Sequence, residues 1–173
     1  MPFIHRLTLI VATLFLLALT IACGSGTGTA TTQPAAQPAS TAQPTTEGKV
    51  GDRIEVNGIA LTVIKVDKTD SLNPVQKAKD GNTFVVVEVL LENTGAASSP
   101  YNPLYFSVKD SDGYQATPTI SGSDTSLKTG ELAKGDKARG TVAFEVKQTA
   151  TGLELTYKPL TLSNVSPMMI TLN

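Results

Sequence analysis

Apolar and polar residues alternate with a period of two over most of the chain after residue 48. Arg53–Val56 alternates in this way, and Asn57-Gly58 follows. This pair is typical of a type I′ hairpin turn, because both central residues of that turn need a positive φ. On the return strand the apolar face changes parity between Val63 and Ile64. That change predicts a β-bulge in the second strand of a hairpin.

The longest apolar run, residues 83–93, is interrupted only by Glu88 and Glu92 and predicts a central strand covered on much of both faces. Further period-two segments lie at 104–108, 142–146, 153–157 and 168–172. Residues 130–136 are predicted to form a polar turn, and residues 75–79, after Pro74, a single helical turn. About seven strands joined by Gly, Pro, Asn and Asp predict an all-β fold, an antiparallel two-sheet β-sandwich, with a small closed barrel as the alternative.

The amino terminus has a different pattern. Residues 7–22 form an uncharged apolar stretch of 16 residues that ends at Cys23. A membrane-spanning helix needs about 20 such residues, so the length favours a signal-peptide core. The sequence Leu19-Thr20-Ile21-Ala22-Cys23 resembles the lipobox of bacterial lipoproteins, although Thr20 stands where that family usually has Leu. The resemblance implies cleavage before Cys23 and a diacylglyceryl group on its thiol; the alternative is an uncleaved signal anchor.

The segment after Cys23 predicts a tether. Residues 24–46 consist only of Gly, Ser, Thr, Ala, Gln and Pro, and such a composition lacks the apolar surface needed to offset the entropy of ordering. A flexible chain of this length has an r.m.s. span of about 25–30 Å. We therefore expect a signal peptide at 1–22, a lipidated and disordered linker at 23–47, and a folded domain at 48–173.

Residues 48–173 contain a series of strand and turn motifs: Val50-Gly51-Asp52, Val56-Asn57-Gly58-Ile59, Glu92-Asn93-Thr94-Gly95, Phe106-Ser107-Val108-Lys109-Asp110-Ser111-Asp112-Gly113 and Gly130-Glu131-Leu132-Ala133-Lys134-Gly135. In these motifs the segment resembles a widespread bacterial family of unknown function. The resemblance implies an extracellular, immunoglobulin-like β-sandwich, often found on lipoproteins and related to the immunoprotective secreted antigens of mycobacteria, and it brings no catalytic residues and no cofactor.

Composition narrows the possible functions. The chain has 14 basic and 15 acidic side chains, so it lacks the basic field that nucleic-acid binding requires. Its only His is His5 and its only Cys is Cys23, so the remainder offers no imidazole or thiol. This excludes His- or Cys-based nucleophilic catalysis and the usual zinc sites from the predicted domain. We expect no catalytic residues, no cofactor and no metal.

Two acidic pairs could carry chemistry in principle. Asp110-Ser111-Asp112-Gly113 begins like a calcium loop, but the third acid and the distal Glu of that loop are missing. We therefore favour a hairpin turn and keep Asp110 and Asp112 as a weak alternative metal site. Glu88 and Glu92 would lie about 13 Å apart on one strand face, too far for a glycosidase pair, and are predicted to face solvent.

Tyr101, Tyr105 and Tyr114 lie around a Pro-containing loop and are the best candidates for a partner surface. Tyrosines on sandwich loops provide rigid contact area with a polar tip. The alternative is that they pack at the rim of the core.

These observations predict a non-catalytic surface domain, held by Cys23 at the extracytoplasmic face of a bacterial membrane. It would bind an unknown envelope protein, glycan or small ligand. The alternative is a structural spacer lipoprotein without a specific ligand. An exposed apolar patch that includes Tyr101 or Tyr105 would favour binding, whereas buried rings and a polar surface would favour the spacer.

Overall fold

The structure is a computed structural model that describes residues 46–159 and 166–172. Cys23 and the predicted signal peptide lie outside these ranges, as does the predicted tether apart from Thr46. Glu47, which the prediction placed at the end of the linker, belongs to a strand. Within the described ranges lie fourteen strands: β1 Glu47–Lys49, β2 Arg53–Val56, β3 Ile59–Thr69, β4 Ser71–Asn73, β5 Gln76–Lys77, β6 Asn82–Asn93, β7 Ser99–Tyr101, β8 Phe106–Lys109, β9 Gln115–Ala116, β10 Pro118–Thr119, β11 Gly130–Leu132, β12 Lys137–Lys147, β13 Glu154–Tyr157 and β14 Met168–Thr171.

Two five-stranded sheets form the architecture of the described residues. Sheet I has the strand order β1-β14-β13-β8-β9 and sheet II has the order β10-β12-β6-β3-β2. Their inner faces supply one apolar core, with Leu61 and Phe144 from sheet II and Leu155 and Ile170 from sheet I fully buried. The predicted β-sandwich is therefore confirmed.

The chain passes from one sheet to the other at both lateral edges. After β1 in sheet I it turns into β2 in sheet II, and after β9 in sheet I it continues through Thr117 into β10 in sheet II. Short strands at the edges limit the backbone available for pairing with other chains. The prediction that all strands pair antiparallel is wrong at one edge of sheet I, where β1 pairs with β14 in parallel.

The predicted hairpin and its bulge are both confirmed. Asn57 and Gly58 have φ values of 50° and 78°, as a type I′ turn requires. The register of β3 against β6 shifts between Val63 and Lys65, which is where the apolar pattern changes parity. Before the shift Val63 is fully buried, and beyond it Val66 packs partly buried against the core, whereas Ile64 at the bulge is exposed.

β6 is the central strand of sheet II, as its apolar run predicts. It pairs with β3 on one side and, over residues 82–92, with β12 on the other. Val85, Val87, Val89 and Leu91 are fully buried. Glu88 and Glu92 point to the opposite face. The Glu88 carboxylate lies 2.7 Å from the Arg139 guanidinium, and the Glu92 carboxylate lies 3.3 Å from the Lys137 ammonium.

The predicted helical turn at 75–79 is wrong, because this segment belongs to the β4–β5 hairpin. The side chain of Asn73 directs the chain into a turn: its Oδ1 accepts from the N–H of Val75, and its Nδ2 donates to the Gln76 side chain. Such a local bond competes with a helix and favours a turn.

Two other segments differ from their predicted roles. The period-two pattern directs Leu104 inward from a strand, but Leu104 lies in the 3₁₀ turn Pro103–Tyr105, which the Asn102 side chain caps by accepting from the Leu104 N–H. Within 130–136, only the second half is a turn, because Gly130–Leu132 pairs with β7.

Candidate functional site

The two ends of sheet I give the frame for the candidate sites. At one end, here called the near end, β1 begins next to Thr46, whose carbonyl accepts from Met169, and Lys158 donates its N–H to the carbonyl of Tyr105. At the opposite end, here called the far end, β8 runs into the turn at 110–114.

Tyr101 and Tyr105 lie toward the near end and are half-buried against the core. The ring of Tyr101 packs so closely on Gly130 that a Cβ there would come within 2.7 Å of its hydroxyl. The ring of Tyr105 tilts against that of Tyr157, with 6.3 Å between the centroids. Both rings therefore pack at the rim of the core rather than standing out as contact residues.

Tyr114 lies at the far end, so the structure does not bring the three predicted tyrosines into one surface. It is 61% exposed, and the Lys147 ammonium lies 3.9 Å from its ring centroid. This distance is within the range of a cation–π contact. A cleft of about 200 Å³ opens beside the pair, and Asn82, Gln115 and Glu145 contribute to its lining.

The Glu145 carboxylate of this far-end cleft is held by neighbouring groups. Its Oε1 accepts from the Asn82 side-chain amide at 3.0 Å and from the Lys79 N–H at 2.9 Å. These two hydrogen bonds hold the pKa of the Glu145 carboxyl below its usual value. The cleft therefore presents a carboxylate, an ammonium and a phenol, a set suited to a polar partner that both donates and accepts hydrogen bonds.

Asp110, the first residue of the calcium-like sequence, is used by the turn itself. It is buried, and its Oδ1 accepts from the N–H groups of Asp112 and Tyr114 at 3.0 Å and 2.8 Å. Gly113 closes the turn by donating to the Asp110 carbonyl. Within 46–159 and 166–172 no three His, Cys, Asp or Glu side chains are grouped as metal ligands.

A second cleft, of about 240 Å³, lies on the side of β12 and is lined by Pro103, Ile120, Leu127, Lys128 and Val142, among others. Ile120 is 87% exposed and Leu104, next to Pro103, is 63% exposed. This surface could not be predicted from the sequence, because Ile120 is a lone apolar residue in a polar segment and carries no periodic signal.

The tip of the β4–β5 hairpin adds another exposed apolar residue on the same side of the molecule. Val75 is 93% exposed, and the neighbouring Gln76 side chain donates to the carbonyl of Ile120. The surface is therefore not uniformly polar, although its apolar residues are not the tyrosines that the sequence singled out.

Family membership follows from the sequence. The profile of a domain of unknown function, DUF4352, matches residues 48–165. The chain belongs to the DUF4352 family. No curated protein matches it.

Solved structures share the fold of this DUF4352 domain. The yjhA protein from Bacillus subtilis is 25% identical, with a TM-score of 0.59 over 73% of this chain and 99% of that one. The ycdA protein of the same organism, whose name describes it provisionally as a lipoprotein, is 16% identical with a TM-score of 0.59 over 69% of this chain; the match spans only 38% of ycdA. The secreted protein MPT63 from Mycobacterium tuberculosis is 12% identical, with a TM-score of 0.54 over 69% of this chain and 93% of that one. The fold is an immunoglobulin-like β-sandwich, as predicted.

Residues 46–159 and 166–172 include no helix with the length and hydropathy of a membrane span.

Proposed function

We propose that this chain is a lipoprotein, anchored through Cys23 to the extracytoplasmic face of a bacterial membrane. Its DUF4352 domain would bind an envelope protein, glycan or small ligand without catalysis. The anchor is supported by the position of the only cysteine, which follows small Ala22 at the end of the apolar stretch. A diacylglyceryl cysteine supplies the two acyl chains that stable anchoring generally needs. The provisional description of ycdA as a lipoprotein and the description of MPT63 as a secreted protein agree with an extracytoplasmic location of this chain.

The binding role is supported mainly by the far-end cleft around Tyr114. An exposed aromatic ring stands there beside the ammonium of Lys147 and the hydrogen-bonded carboxylate of Glu145. Hydroxyl-rich glycans and polar protein surfaces offer the donors and acceptors that such a cleft satisfies. Residues 24–173 contain no His and no Cys, which supports binding rather than nucleophilic catalysis.

The spacer alternative is supported by the other two tyrosines. Tyr101 and Tyr105 pack against the core, as expected of a domain whose rings serve stability. In that case the domain would hold a position in the envelope and have no specific ligand.

The anchor is tested with the substitution Cys23→Ser in the full chain, compared with Ser25→Ala as the matched control. We expect the control to stay in the membrane fraction and to carry the mass of a diacylglyceryl group on a chain that begins at Cys23. We expect Cys23→Ser to leave the membrane fraction or to keep an uncleaved amino terminus without added acyl mass. An unmodified wild-type chain that still carries Met1 would support the signal-anchor alternative instead.

Binding is tested by placing a photo-crosslinking amino acid at Tyr114 in cells, and at Lys65 on the outer face of sheet II as a control. The binding role predicts a discrete adduct from position 114, absent from position 65 and reduced at least threefold by adding Lys147→Glu. Equal or absent adducts at the two positions would support the spacer.

A further inference from the structure

The near end carries an exposed apolar surface that the binding role does not use. It consists of Pro103, Leu104 and Ile120, here called the near-end apolar surface. Pro103 connects the other two residues, because it precedes Leu104 in the chain and lines the same cleft as Ile120. Leu104 is 63% exposed and Ile120 is 87% exposed. Large aliphatic side chains exposed together in this way mark interaction sites more often than isolated ones do.

The chain that leads back to Cys23 starts at this same end. Glu47 pairs with Met169, Met169 with Thr156, and Thr156 with Ser107, so these residues form one row across sheet I. Thr46 precedes that row directly before β1, and Leu104 precedes it in the 3₁₀ turn before β8, which runs in the same direction as β1. They therefore leave sheet I at the same end, about three strand spacings of about 4.8 Å apart.

Charges of both signs lie around the surface, with exposed Asp124 next to the cleft among the acidic ones, and the lysines suit an anionic boundary. Exposed Lys128 lines the cleft, and exposed Lys158 is hydrogen-bonded through its backbone to Tyr105, next to Leu104. None of the described residues that line the cleft is acidic. Lysines that flank aliphatic side chains suit a bilayer with anionic headgroups, because the chains enter the interface while the ammonium groups meet phosphate.

We propose that the near-end apolar surface rests on the lipid bilayer that holds Cys23, with Leu104 and Ile120 in the headgroup region and the Tyr114 cleft directed away from it. The proposal uses the anchor of the proposed function. The 23 residues from Gly24 to Thr46 have an expected r.m.s. span of about 25–30 Å, similar to the diameter of a small domain. A tether of this length holds the domain near the lipid at an effective concentration of order 1 mM, so a weak contact suffices.

The absence of tryptophan from the chain permits a direct test. Leu104→Trp and Ile120→Trp are made in the full chain, isolated with its native acyl group and placed in vesicles of phosphatidylglycerol and phosphatidylcholine with brominated acyl chains. Tyr114→Trp is the matched control, because Tyr114 is 61% exposed but lies at the opposite end of β8. We expect the brominated lipid to quench the fluorescence at positions 104 and 120 at least threefold more than at position 114.

Equal quenching at the three positions, or no quenching at positions 104 and 120, would overturn the proposal. Two further changes test the role of charge: leaving out phosphatidylglycerol, and introducing Lys128→Glu and Lys158→Glu together. The proposal would also be overturned if neither change reduced the quenching at position 104. Protection of the indole of the Leu104→Trp variant from aqueous iodide by an envelope protein, without quenching by lipid, would assign the surface to a protein partner instead.

Failure of the anchor is measured separately. The intact mass and the flotation of each sample with vesicles show whether Cys23 carries its acyl group. If it does not, the proposed anchor fails, and the same three variants are attached to a maleimide lipid through Cys23, the only thiol in the chain. The quenching pattern of these attached proteins then supports or overturns the lipid contact independently of natural lipidation.

Discussion

Tyr157 is the largest fully buried side chain of the described residues. Its ring packs on Phe106, with 4.6 Å between centroids, yet its hydroxyl has no hydrogen-bond partner within the described part of the chain. A buried hydroxyl without a partner costs about 1–3 kcal/mol. Burial, and secondarily the neighbouring Tyr105, raises the pKa of the Tyr157 phenol.

We expect Tyr157→Phe to increase the free energy of unfolding at pH 7 by about 1 kcal/mol, because the ring contacts remain while the unpaired hydroxyl is removed. Above about pH 10 the unfolded chain releases the Tyr157 proton while the folded chain keeps it, so wild-type stability falls as the pH rises. The variant lacks this loss, and its advantage should widen between pH 10 and pH 11. Urea unfolding at pH 7, 10 and 11 measures both effects.

The control for this prediction is Tyr114→Phe, which removes an exposed hydroxyl and should change stability by less than about 0.5 kcal/mol. A less stable Tyr157→Phe protein at pH 7 would mean that the hydroxyl has a partner in solution.

Asn93 shows the opposite arrangement of a buried polar group. Its Nδ2 donates to the carbonyls of Ala97 and Leu132, and its Oδ1 accepts from the Gly95 N–H. One side chain thus joins the end of β6 to the loop at Ala97 and to the end of β11. This bonding gives a structural reason for the Glu92-Asn93-Thr94-Gly95 sequence that the family resemblance includes.

At the scale of elements, the segment between β10 and β11 pairs with part of the edge of β12 that faces away from β6. Leu127 donates its N–H to Thr141, and Thr141 donates to Thr125, each through the backbone. Gly140 lies next to these hydrogen bonds, and a Cβ at this position would come within 2.5 Å of the Leu127 Cα. The absence of a side chain at Gly140 therefore permits the segment to protect this part of the strand.

We expect Gly140→Ala to destabilise the protein by about 1–3 kcal/mol, because the added methyl group meets backbone that cannot move without breaking the two hydrogen bonds. Gly130→Ala is the matched comparison: its Cβ would meet mainly the hydroxyl end of Tyr101, which can move aside, so its cost should stay below about 1 kcal/mol. Thermal unfolding of both variants tests the difference. Equal destabilisation would show that the Leu127 backbone moves away from residue 140 as readily as the Tyr101 side chain moves away from residue 130.

At the scale of the whole molecule, the two sheets differ in the length of their strands. β3, β6 and β12 of sheet II have 11 or 12 residues each, whereas β8, β13 and β14 of sheet I have four. The ion pairs on the outer face of sheet II, such as Glu88 with Arg139, are solvent-accessible and add little stability. Stability should therefore be concentrated in the apolar centre of sheet II.

Hydrogen exchange of the full chain should reveal this distribution. We expect the amides of β6 to exchange most slowly, because they are paired on both sides and buried, and those of the β4–β5 hairpin to exchange fastest among the described strands. Exchange followed by mass spectrometry or NMR resolves the two regions. A hairpin protected as strongly as β6 would contradict the expected order.

Much of the fold was predictable from local chemistry. The alternation of side chains located the principal strands, Asn57-Gly58 located a turn, and the parity change at Val63 located a bulge, because each depends on a few consecutive residues. The helical turn at 75–79 and the inward direction of Leu104 were wrong, since the side chains of Asn73 and Asn102 bond to nearby backbone in ways that periodicity does not encode.

The sequence by itself determined the class of the fold, the candidate lipidation residue Cys23 and the lack of imidazole and thiol in residues 24–173. Only the tertiary structure decided which distant residues meet. It placed Tyr114 and Lys147 beside one cleft, separated Tyr114 from Tyr101 and Tyr105, and left Leu104 and Ile120 exposed on either side of Pro103. The physical reason is that strand order and pairing register act between segments far apart in the chain, whereas the hydrophobic pattern specifies only which face of each segment is buried.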